Sequence, residues 1–139
     1  MEVKLKRLNQ AVHFEGSSSS SEVKVHIDGS PEIGGEALGV RPMELVLMAL
    51  GSCSVLDLSS ILKKQRQDVK DIQVEVSGNR TDSIPKVFTD IHIKFFIKGN
   101  QVSPDKAEKA AELAVKKYCS VHDMLDAGGV KITYETIVS

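Results

Sequence analysis

The stretch PMELVLMALGSCSVLDLSSILKK, from Pro42 to Lys64, constrains the fold more than any other part of this chain. It reads as one long helix that is apolar on nearly every side. Pro42 suits the first turn, where its missing N–H has no partner to lose. Glu44 in that turn, and Lys63, Lys64 and Arg66 in the last, match the helix dipole. Pro42–Leu62 has the length of a membrane span, yet it carries Glu44, Asp57 and five hydroxyl or thiol groups, so it reads as a core helix. A chain of 139 residues makes one domain with a real core, residues 1–139, but it cannot easily surround such a helix alone. The simplest solution is a homodimer in which two of these helices pack together.

The rest of the chain is read around that helix. Glu2–Leu8, Ala11–Glu15 and Glu22–Asp28 are strand-like runs, and Ser17–Ser21 after Gly16 makes a polar hairpin tip. Gly29–Gly39, with Pro31, Gly34 and Gly35, is a loop. Beyond the long helix, Val69–Gly78 and Val87–Gly99 alternate as strands. Ser103 is placed to cap a helix over Pro104–Lys117, whose Ala107, Ala110, Ala111, Ala114 and Val115 form a narrow apolar stripe. Val121–Leu125 makes a short helix ended by Gly128-Gly129, and Val130–Val138 closes a sheet. The order predicts an α+β fold in which two largely antiparallel sheets wrap the long helix.

Composition narrows the function. The chain is 41% hydrophobic and 27% charged with a net charge of -1, so nothing draws it to nucleic acid or to an anionic membrane. The start, Met1-Glu2-Val3-Lys4-Leu5-Lys6, alternates like a strand and not like a signal peptide. Two cysteines without such a signal suggest a reduced, cytoplasmic protein in which a structural disulfide is not expected. The histidines and cysteines show no zinc-ligand spacing, and no glycine loop cradles a phosphate, so neither metal nor cofactor is expected.

The cysteines are the chemistry-bearing residues. Cys53 follows Gly51 and Ser52, small residues that open space beside a sulfur. Asp57, four residues on, shares its helical face. A carboxylate and apolar surroundings both raise a thiol pKa, so this segment by itself describes a sluggish core cysteine. Cys119 starts a short helix, whose backbone N–H groups stabilise a thiolate. His122, three residues later, is a candidate proton carrier or an ordinary polar residue.

Taken together, PMELVLMALGSCSVLDLSSILKK and AVKKYCSVHDMLDAG resemble the two cysteine helices of the OsmC/Ohr family. The segments QDVKDIQVEVSGNR and PKVFTDIHIKFFIKG are also similar to it, most of all to its YhfA-like branch. Pro42 to Cys53 is eleven residues, as in that family, and the likeness covers nearly the whole chain. The resemblance implies an intertwined homodimer with an active site at the subunit interface. It also implies thiol peroxidase chemistry: Cys53 attacks an organic hydroperoxide, Cys119 resolves the sulfenic acid to a disulfide, and an external dithiol restores both. Met43, Met48 and Asp57 are the candidate substrate-lining residues, in surroundings that favour an apolar alkyl hydroperoxide.

Two positions depart from the family's pattern. Its catalytic glutamate directly follows the proline, where this chain has Met43; the carboxylate is displaced to Glu44, a rotation of roughly 100° on a helix. Its catalytic arginine lies in the N-terminal strand and loop region, but between Gln10 and Pro31 this chain has none. Glu44 and Cys53 are about 13 Å apart along one helix. If two long helices run antiparallel across a dimer, the start of one approaches the middle of the other, and Arg41 and Glu44 become the candidate activating pair. The alternative function is a protein of the same fold without peroxidase turnover, which binds an apolar ligand or senses oxidation at the interface.

Overall fold

The computed structural model describes residues 1–139, which divide into two compact units, Met1–Val46 and Leu47–Ser139. In the first unit, β1 (Val3–Arg7), β2 (Phe14–Ser18) and β3 (Ser21–Ile27) form an antiparallel sheet in that order. Ser18 pairs with Ser21, so the serine run supplies both a tight turn and the strand ends beside it. The second strand begins later than its sequence suggests. Asn9 Oδ1 accepts the backbone N–H groups of Ala11 (3.0 Å) and His13 (3.1 Å), which holds those residues in a turn and away from the ladder. Val3, Leu5, Val23 and Val25 leave one sheet face apolar and, with Pro42 and Leu45, line a hollow of about 400 Å³.

The glycine-rich segment after β3 is a tied loop with a single 3-10 turn at Pro31–Ile33. Its anchor is Asp28, a buried carboxylate that accepts the N–H groups of Gly29 (2.8 Å), Glu36 (3.0 Å) and Leu38 (3.0 Å). Gly39 lets the returning chain lie against the backbone of His26, where an added Cβ would sit 2.4 Å from the carbonyl carbon. The returning Val40 exchanges backbone hydrogen bonds with His26 and Asp28, both at 3.0 Å.

Helix α1 (Pro42–Lys64) runs through the boundary between the units. Arg41 is its N-cap residue, and its N–H donates to Glu44 Oε1 (2.9 Å), one half of a capping box. The helix ends in a Schellman arrangement: Gln67 N–H donates to Leu62 O and Arg66 N–H to Lys63 O, both at 3.0 Å. Arg66, expected in the last turn, is instead the left-handed residue just past it, with φ 56°. Although α1 is apolar all round, its buried residues are Leu50, Gly51, Ser54, Leu58 and Leu62, one stripe at a four-residue spacing. Leu56 on another side is 71% exposed and Met48 51%.

In the second unit β4 (Asp68–Arg80) and β5 (Phe88–Asn100) form a long antiparallel hairpin. β6 (Lys131–Val138) pairs parallel to β5, so this sheet is mixed, in the order β4-β5-β6. Parallel neighbours need a long crossover, and helices supply it. Ile91, Ile93, Phe95 and Ile97 of β5 are buried on one face. The crossover starts with α2 (Pro104–Glu112), where the Ser103 hydroxyl accepts Lys106 N–H (3.4 Å) as the N-cap. The expected continuous helix to Lys117 instead widens into a π turn, Leu113–Tyr118, before α3 (Ser120–Ala127). All five residues of the alanine-rich stripe are buried.

Gly51 is where α1 comes close to the sheet: an added Cβ would lie 2.8 Å from Val76 Cγ2 of β4. Its missing side chain therefore admits β4, rather than opening room beside the Cys53 sulfur. Gly51→Ala should destabilise the protein by about 1–3 kcal/mol through overpacking. In a Val76→Ala background the same change should be neutral or stabilising, since alanine gains about 1 kcal/mol of helix propensity. Denaturant unfolding of the four proteins in this cycle tests the contact; an equal effect of Gly51→Ala in both backgrounds refutes it.

The three backbone N–H groups hold Asp28 below the usual carboxylate range, foremost those of Glu36 and Leu38, against the opposing effect of burial. A carboxyl whose pKa is lowered on folding stabilises the fold above its unfolded pKa, and that contribution is lost as pH falls through its folded pKa. The loop should thus stay ordered through the mildly acidic range and loosen only below the ordinary aspartate range. Amide exchange at Gly29, Glu36 and Leu38 should follow that course, and Asp28→Ala should abolish their protection at neutral pH.

Candidate functional site

The second unit brings the two thiols together. Cys53 lies on α1 and is half-buried, while Cys119 is buried, 1% exposed, where the π turn ends and α3 begins. Both are free thiols. Cys119 is the N-cap residue of α3: its Sγ accepts the backbone N–H of His122 at 3.3 Å. The helix start thus presents a donor to this sulfur, as the sequence suggested.

Four influences set the Cys119 thiol. Burial comes first and pushes it above the ordinary thiol value. The Ser54 hydroxyl opposes this, the neighbouring Cys53 thiol pushes it further up, and the His122 N–H lowers it. The net direction is upward, so the reduced pair holds Cys119 as a thiol. Ser54 is the residue the sequence reading missed. It is fully buried and its Oγ has no hydrogen-bond partner. Leu50, Ser54, Leu58 and Leu62 share a four-residue spacing, but other faces of α1 are as apolar, so that spacing by itself does not mark the buried face.

The His122 ring is buried, and its Nδ1 donates to Asp123 Oδ1 at 3.1 Å, so it is the His122 backbone that serves the sulfur. Asp57 is half-buried one turn along α1 from Cys53 and is not among the groups acting on Cys119. Arg41 and Glu44 belong to the first unit and are exposed, with the Glu44 carboxylate engaged in the capping box. Met43 is half-buried in that unit, and Met48 is exposed in the second. No three histidine, cysteine or carboxylate side chains converge in a metal-binding arrangement. Chemically, this is a pair of free thiols, one half-buried and one buried, with a hydroxyl beside the buried one.

Comparison with known proteins identifies the family. Residues 34–135 match the family of OsmC-like proteins. Protein YhfA of Escherichia coli K12 is 37% identical over 131 residues, covering 94% of each chain. The crystal structure of a hypothetical protein from Aquifex aeolicus is 35% identical, with a TM-score of 0.80 over 99% of this chain and 96% of that one. An organic hydroperoxide resistance protein OsmC from Legionella pneumophila has the same fold at 16% identity, with a TM-score of 0.67 over 97% and 94% of the two chains. By the extent of the family match, the identity to YhfA and the shared fold, this chain belongs to the OsmC-like family.

Proposed function

We propose that this protein is a thiol-dependent peroxidase that reduces organic hydroperoxides through Cys53 and Cys119. The observation that carries the reading is the pairing of the two free thiols in a largely apolar setting, close enough for Cys53 to raise the Cys119 pKa. The Legionella protein, described as an organic hydroperoxide resistance protein, shares the fold and makes this chemistry the natural candidate. Exposure orders the steps. Cys53, the more accessible sulfur, attacks the terminal peroxide oxygen as a thiolate; the O–O bond breaks and the alcohol leaves after protonation. Cys53 is then a sulfenic acid. Cys119 attacks that sulfur, water departs, and the disulfide forms. An external dithiol, as a cytoplasm supplies, reduces it back to two thiols.

The working unit of this reading is a homodimer. Val3, Leu5 and Val23 are each 63% exposed or more on the first sheet, and Leu56 and Met48 are exposed on α1. Apolar side chains of that size and number are what a second copy would cover. An alkyl hydroperoxide suits such surroundings better than hydrogen peroxide does.

Treatment with an alkyl hydroperoxide should link Cys53 to Cys119 within one chain, as read by non-reducing peptide mapping. Closure should quicken as pH rises, because the raised Cys119 pKa leaves little thiolate at neutral pH. Peroxide consumption should vanish in Cys53→Ser. Two free thiols after treatment, with no peroxide consumed, would reject the peroxidase and favour an apolar-ligand or sensor role for the same fold.

Sedimentation at micromolar concentration should give a dimer. Leu56→Asp places a charge on a residue that one chain leaves in water, so it should dissociate the dimer while sparing the secondary structure. A stable wild-type monomer would refute the assembly.

A further inference from the structure

Every other hydroxyl on the thiol-bearing half of α1 faces outward. Ser52 and Ser59 are exposed and satisfy themselves on the helix backbone, donating to Ala49 O (3.2 Å) and Val55 O (2.7 Å), and Ser60 is exposed. Ser54 alone is turned inward, fully buried, with no hydrogen-bond partner for its Oγ. A buried hydroxyl left unpaired is costly, and in native structures it calls for an explanation such as a partner that exists only in another state. The group beside it is Cys119, whose sulfur is uncharged in the reduced protein and is a weak acceptor. As a thiolate the same sulfur becomes a strong one.

We propose that Ser54 is the hydrogen-bond donor to the Cys119 thiolate, a partner it gains only while the dithiol and disulfide interconvert. The inference rests on the peroxidase reading for its place in turnover. Two steps expose that charge. In the first, the Cys119 thiolate attacks the Cys53 sulfenic sulfur, the S–O bond breaks, and hydroxide leaves as water after taking one proton. In the second, a reductant thiolate attacks Cys53 of the disulfide, the S–S bond breaks, and Cys119 departs with the electron pair. In both, a donor inside the apolar site replaces the water that burial removes. The His122 N–H supplies one such donor at 3.3 Å, and Ser54 supplies the second from the opposite element. The titratable groups around this sulfur are Cys53 on α1 and, on its own helix, His122 with its partner Asp123.

The test compares wild type with Ser54→Ala and Ser54→Thr. With an alkyl hydroperoxide, the first step, attack by Cys53, should be unchanged in Ser54→Ala. Closure of the disulfide should slow by about tenfold or more, the usual scale for one hydrogen bond to a charge. Sulfenic acid trapped by a dimedone probe should accumulate accordingly. In a Cys53→Ala background, where no peroxide chemistry occurs, ultraviolet titration of the remaining thiolate should show a higher Cys119 pKa with Ser54→Ala than with Ser54. Ser54→Thr, which keeps the hydroxyl, should titrate like Ser54. An unmoved titration overturns the proposal even if closure slows, since slowing alone would be a packing effect. A threonine variant that titrates like alanine overturns it too. Should wild type form no disulfide, the peroxidase reading falls, while the titration still decides the role of Ser54.

Discussion

The packing of α1 against the mixed sheet at Gly51 is the contact on which the rest of the second unit depends. With no side chain at Gly51, the helix lies directly on Val76 of β4. That approach selects which stripe of an otherwise apolar helix is buried: Leu50, Ser54, Leu58 and Leu62. Rotate the helix by one residue, roughly 100°, and Ser54 leaves the core while another residue takes its place. The position of Cys53 at the edge of that stripe, half-buried beside the fully buried Ser54, follows from the same rotation.

The dithiol is held in an environment of opposed influences. Burial and the Cys53 thiol disfavour a charge on Cys119, while the Ser54 hydroxyl and the His122 N–H favour it. The net direction is upward, so the resting Cys119 stays protonated. Exposure also separates the two sulfurs: Cys53 is half-buried and Cys119 is buried.

The structure also gives Glu44 and Asp28 clear work within the first unit. Glu44 closes the start of α1 through the Arg41 N–H, a task that its position three residues after the cap favours. Asp28 gathers three backbone N–H groups and turns a glycine-rich segment into a fixed loop. A sequence full of glycine says only that the backbone is permitted to bend. The carboxylate that selects one bend stands outside the segment, so the loop's order was not visible in its composition.

By itself the sequence determined the secondary-structure order, the long apolar helix and the two cysteine segments. These are local patterns, and local patterns follow from side-chain period and capping chemistry. Strand alternation in β5, the Ser103 cap and the alanine stripe of α2 were all legible for that reason. Tertiary structure alone decided the parallel pairing of β6, the π turn before Cys119 and the left-handed Arg66. It alone decided, too, which face of α1 is buried. A helix that is apolar all round carries no moment to orient it, so only its partner can choose the face. That choice, made by Val76 against Gly51, is what turned Ser54 toward Cys119, and no spacing along the chain encodes it.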